Sequence, residues 1–178
     1  MSTSFKTLAA LLIFAVIGAT TACVFRTAPK DQSMKPSITF LHLLRHTPFF
    51  TELSTDQLRW VIQHSREWEV QAGRTIVSSA TAGDGAGYWV LLDGRWDLEL
   101  GGQHHASGHA DPGKWFDRDL VATRAFSLTA TDHSFVLNIS NQDMDDMVAR
   151  GFRFDRHLAA GMAFYSKLSA PLQAVTAP

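Results

Sequence analysis

Histidine is the residue type whose clustering first suggests chemistry in this chain. His104, His105 and His109 fall within one stretch, GGQHHASGHADPG, with Asp111 beside them and His133 further on. Imidazoles and carboxylates are what a divalent metal takes, but a zinc site needs three or four converging protein ligands. If the stretch is extended, His105 and His109 share a face while His104 points the other way. The cluster therefore reads as a polar loop with solvated histidines, with no metal expected and a bound divalent metal held as an alternative. His42, His46, His64 and His157 sit at helical positions and read as surface or boundary residues. Covalent chemistry has less support still. No Gly-x-Ser-x-Gly elbow, Gly-Lys-Ser/Thr phosphate loop or His-Glu-x-x-His pair occurs. The single cysteine, Cys23, excludes an intrachain disulfide, a four-cysteine zinc site and a two-cysteine redox motif. Asp143, Asp145 and Asp146 open a helix, where carboxylates favour the dipole. No enzyme activity is expected.

The chain that must position any site has 178 residues, 46% of them hydrophobic and 19% charged, enough for one domain with a real core. Its formal net charge of -1 argues against binding nucleic acid through a bulk positive field. Residues 8–25 (LAALLIFAVIGATTACVF) carry no charge, after a short start holding Lys6. Such a run, about 1.5 Å per residue and roughly 27 Å in all, is near the lower limit for spanning a bilayer. It also fits a secretory signal, and Thr20-Thr21-Ala22-Cys23 resembles a bacterial lipobox with threonine where leucine is usual. Residues 1–27 are therefore read as a retained anchor or a cleaved or lipidated signal. Basic residues on both sides leave the orientation open. Residues 28–36 read as a polar, proline-bounded linker, and residues 37–178 as the domain.

Within that domain, Ser37 is a candidate cap for a helix over residues 38–46, broken by Pro48-Phe49-Phe50. Ser54 caps a second helix over 55–65, with Leu58, Val61 and Ile62 on one face. The period then changes from helical to alternating. Trp68 and Val70, residues 75–79, residues 88–92, then Trp96, Leu98 and Leu100 read as strands separated by glycine turns. Phe126, Leu128 and Ala130 alternate again. In the following strand Phe135, Leu137 and Ile139 share one side, with Val136 and Asn138 on the other. Ser140 caps a helix that Gly151 ends, and residues 154–168 form the last one. Short strands at roughly ten-residue spacing indicate a β-sandwich or barrel. Trp89, Trp96 and Trp115 read as packing residues of its core and rim.

The order of these pieces resembles the cyclic-nucleotide-binding domain family. PFFTELSTDQLRWVI, the Ala72-Gly73 turn, YWVLLDG, DPGKWF, and RAFSLTA leading into SFVLNIS carry the resemblance, which spans residues 40–168. It implies a mainly β fold with flanking helices, a double-stranded β-helix jelly roll, here with an N-terminal hydrophobic anchor. It also implies a phosphate-binding cassette between two strands, in which a short helix opened by a Gly-Glu pair and a later arginine hold the cyclic phosphate. The similar stretch is residues 113–125 (GKWFDRDLVATRA), which makes Gly113, Lys114, Arg118, Arg124 and Ala125 the candidate ligand-binding residues. Arg124 matches the family's arginine. Asp117-Arg118 falls where Gly-Glu belongs, reversing the charge, the segment is about three residues short, and Thr123 replaces the usual proline. Arg124 also reads as a surface residue paired with Asp119.

The expectation is thus a membrane-tethered sensor or regulatory module whose ligand site is altered, with cyclic AMP or cyclic GMP as the ligand the family implies and no cofactor. The alternatives are an interaction scaffold with no small ligand, or a metal-binding cupin. A protein partner and the membrane are the expected contacts. The 27 residues after Gly151 are too few for a closing helix and a winged helix, so no nucleic-acid partner is expected.

Overall fold

The computed structural model describes residues 38–81, 86–121 and 124–169. Residues 1–27 and the linker, read above as anchor and spacer, lie outside the described residues. Among the described residues no helix is long and apolar enough to cross a membrane.

Two helices open the described part: α1 (Ile38–His46) and α2 (Thr55–Gln63), joined through a 3-10 turn at Pro48–Phe50. Ser54 starts α2 with a capping box, its hydroxyl accepting from the Gln57 N–H while the Gln57 side chain accepts from the Ser54 N–H. Such caps are worth about 1 kcal/mol each. Eight strands follow: β1 (Arg66–Val70), β2 (Thr75–Ser78), β3 (Tyr88–Asp93), β4 (Arg95–Leu100), β5 (Gln103–Gly108), β6 (Trp115–Asp117), β7 (Phe126–Ala130) and β8 (Ser134–Ile139). They form two four-stranded sheets, ordered β1-β8-β3-β6 and β2-β7-β4-β5, every pairing antiparallel. Helices α3 (Asn141–Ala149) and α4 (Asp155–Ser169) close the domain.

The two kinds of strand pattern have one cause. β3 reads as an unbroken apolar run, Trp89 to Leu92, because both of its faces are covered. Trp89 and Leu91 point between the sheets, with Phe116, Val136 and, from the facing sheet, Val77, Trp96, Leu98 and Leu128. Val90 and Leu92 point outward into a second core with Leu137 and Ile139 of β8, Leu44 of α1, Phe49 and Phe50 of the 3-10 turn, and Phe154 just before the last helix. β4 alternates instead (RWDLEL): Trp96, Leu98 and Leu100 are buried between the sheets, while Asp97 and Glu99 take the opposite face. Gly101 and Gly102 turn β4 into β5 with φ of 59° and 79°, which only glycine adopts cheaply twice in succession.

Two elements differ from the sequence reading. The part of the histidine-bearing stretch that holds His104 and His105 is not a loop but the edge strand β5, held by β4 along its length, while His109 lies in the turn that follows. The side chains of β5 are too polar to announce a strand, so the partner decides it. α2 ends at Gln63, two residues early, because the C-cap His64 leaves helical geometry to begin β1.

Candidate functional site

The candidate site lies between β6 and β7. β6 delivers Phe116 to the barrel interior and, by alternation, Trp115 and Asp117 to the outer face. A single 3-10 turn, Arg118–Val121, follows, and the Arg124 N–H donates to the Val121 carbonyl at 2.8 Å. Ala125 is exposed and its carbonyl accepts from the Gly101 N–H at 3.4 Å. β7 then begins.

Asp117 is buried, and its Oδ1 accepts from the Asp119 N–H at 2.9 Å. Burial pushes its pKa up, with Asp119 adding to the rise, while the hydrogen bond and Arg118 oppose it. It pairs in register with Tyr88, whose hydroxyl is itself pushed up by burial and then by Asp117, Asp145 and Asp119. The carboxylate nearest the family's glutamate position therefore belongs to the helix-covered face. Arg118 is half-buried at the head of the turn. The buried carboxylates among the described residues are Glu67 and Asp117. Glu67 alternates with Trp68, which packs toward the barrel interior, so Glu67 too faces outward.

Arg124 donates from Nη1 to the Leu168 carbonyl at 3.1 Å, on the last turn of α4. Gly113 and Lys114 lie before β6 and serve the packing there. The Gly113 carbonyl accepts from the Trp96 indole N–H at 2.9 Å. Lys114 is buried, and its Nζ donates to the Asp111 and Ala110 carbonyls at 3.1 and 3.4 Å. Burial lowers its pKa and Arg156 helps, against the pull of Asp111.

The structure adds what sequence reasoning missed: α4 covers the site. Tyr165 enters the barrel cluster with Phe116, Val121 and Phe126, and its hydroxyl donates to the Trp115 carbonyl at 2.7 Å. Phe164, Leu168 and Leu120 pack against the same cluster. The signal was present in the helical spacing of Leu158, Gly161, Tyr165 and Leu168, but spacing names a buried face and not what it covers.

Three of the histidines each meet a carboxylate of their own. His104 Nδ1 lies 2.5 Å from Asp97 Oδ2, His133 Nε2 2.7 Å from Glu69 Oε1, and His109 Nδ1 3.8 Å from Asp93 Oδ1. The hydrogen bond and charge of Asp97 raise the pKa of His104. His105 stands opposite Leu98, and Asp111 accepts from the Gly108 N–H at 2.8 Å. Among the described residues no three such side chains gather to hold a metal. His157, read as a surface or boundary residue, is buried beside Phe49 and Arg156, because α4 docks that face onto the Pro48–Phe50 turn. The tryptophans pack as read: Trp89, Trp96 and Trp115 are all buried.

No family model and no curated protein matches the chain. Solved structures do. The PKAR CBD2 domain with bound Sp-2Cl-cAMPS is 13% identical with a TM-score of 0.53, covering 73% of this chain and 86% of that one. Cyclic-AMP-bound PfPKA-R is 14% identical with a TM-score of 0.56, covering 73% of this chain and 45% of that one. The regulatory subunit of a cAMP-independent protein kinase A from Trypanosoma brucei is 15% identical with a TM-score of 0.52, covering 73% and 50%. This chain thus spans about half the length of the latter two. The fold is that of cyclic-nucleotide-binding domains.

Proposed function

We propose that this chain is a non-enzymatic regulatory module on the cyclic-nucleotide-binding fold, tethered to a membrane by residues 1–27, whose ligand site has been altered so that cyclic AMP and cyclic GMP bind weakly or not at all. One observation carries the reading. The acidic residue at the end of β6, Asp117, faces the outer, helix-covered side with Tyr88, and Arg118 follows it. A ribose 2′-hydroxyl inside the barrel would then lack its carboxylate acceptor, and an anion would have to meet an Arg124 already bonded to the Leu168 carbonyl. Losing a hydrogen bond to a charged group costs about 1.5–3 kcal/mol, roughly ten- to a hundredfold in affinity. The module would act by contact with a protein partner.

Calorimetric titration of the full chain with each nucleotide tests this. Binding weaker than micromolar, falling with added salt and with Arg124→Ala, is expected. Micromolar or tighter binding of either nucleotide would overturn the altered site.

A second reading, an interaction scaffold that takes no small ligand, draws support from the Trypanosoma brucei regulatory subunit of a cAMP-independent kinase, which carries the same fold. It is separated from the first by the absence of any anion-dependent heat. The uncharged run of residues 8–25 supports the tether, and membrane fractionation with and without that run checks it.

A further inference from the structure

We propose that the carboxyl end of α4 is a displaceable internal occupant of this site: its terminal carbonyl holds the Arg124 guanidinium that an anionic ligand needs, so an anion binds only by displacing the helix end. The inference deepens the altered-site reading above and rests on it.

The geometry behind it is local and specific. The carbonyls toward the carboxyl end of a helix carry the negative end of its dipole. Arg124 meets one of them, Leu168, across 44 residues of chain, at 3.1 Å. A guanidinium is the side chain best shaped to take an anion in its fork, and here a partial negative charge from the chain itself stands against it. The helix end is seated where the guanidinium can reach it. The Tyr165 hydroxyl donates to the Trp115 carbonyl at 2.7 Å, and Leu168 packs with the barrel cluster that holds Phe116 and Val121. Tyr165 is buried, yet Leu168 is only partly so, as a contact that opens would be. The helix end and an external anion would therefore compete for one cation. Their exchange would couple ligand arrival to release of the last turn of α4.

The test uses the full chain, titrated calorimetrically at low salt with cyclic AMP, cyclic GMP and inorganic phosphate. Leu168→Gly removes the apolar anchor and weakens the last turn. Tyr165→Phe removes only the hydrogen bond to Trp115 and keeps the ring in the core. Affinity for at least one anion should rise about tenfold in the first variant and less in the second, and Arg124→Gln in either background should abolish the gain. No gain in either folded variant, or a gain that survives Arg124→Gln, overturns the proposal. The altered-site reading fails separately, if wild type already binds a nucleotide at micromolar concentration or tighter. A gain shared by phosphate and both nucleotides leaves the competition standing and shows that the site does not select a nucleotide.

Discussion

Gly161 of α4 lies against the indole of Trp115 so closely that a methyl group on it would stand 2.2 Å from Nε1 and 2.4 Å from Cε2. The indole has nowhere to go: it is buried in the outer core, and Nε1 donates to the His157 carbonyl at 2.8 Å. Gly161→Ala should therefore destabilise the fold by about 1–3 kcal/mol, against the helix propensity that favours alanine by about 1 kcal/mol. Thermal unfolding checks it, with the exposed Ala160→Gly as the propensity control. An unchanged or higher Tm for Gly161→Ala would mean that α4 does not seat on Trp115.

Glu67 gives an unusual pH dependence. Its Oε2 is buried without a hydrogen-bond partner, and burial pushes the pKa from 4.5 up to about 7. Between those values the folded state holds a proton that the unfolded state has released, so stability falls as pH rises through the window. Glu67→Gln should gain on wild type at pH 8, by about 1–3 kcal/mol, and gain little at pH 5. An equal difference at the two pH values would rule out titration of Glu67 as the cause.

His157 acts in the opposite sense. Burial lowers its pKa, helped by Lys114 and Arg156 and opposed by Glu52 and a hydrogen bond with the Pro48 backbone. The unfolded ring protonates first as pH falls, so its contribution is complete above about pH 6.5 and is lost below it. Chemical denaturation from pH 7 to 5 should show a shallower acid limb in His157→Asn than in wild type. Parallel limbs would place the acid sensitivity elsewhere.

Removing residues 1–36 should leave a soluble domain with the melting temperature of the full chain. The uncharged run and the polar linker of residues 28–36 stand outside the patterned sequence that begins at Ser37. An insoluble or unfolded product would place part of the first 36 residues in the core.

Chelation should leave the melting temperature unchanged, because His104, His109 and His133 each face a separate carboxylate. Stoichiometric zinc, iron or nickel in protein purified without a histidine tag would contradict it.

Much of this architecture was legible in the sequence because it is governed by local periodicity. The Ser54 and Ser140 caps, the alternation of β4 and β7, and the sharing of one face by Phe135, Leu137 and Ile139 need only the pitch of a helix or the pleat of a strand. Tertiary structure alone decided the rest. β5 (QHHASG) has no apolar face of its own, so its strand state comes from hydrogen bonds to β4. Whether Asp117 faces the barrel or the helices depends on where β6 starts, and a shift of one residue would reverse it. Arg124 bonds a backbone carbonyl 44 residues away, and a carbonyl carries no sequence signature. Periodicity tells which side of an element is buried, but only the packing of one element on another tells what it is buried against.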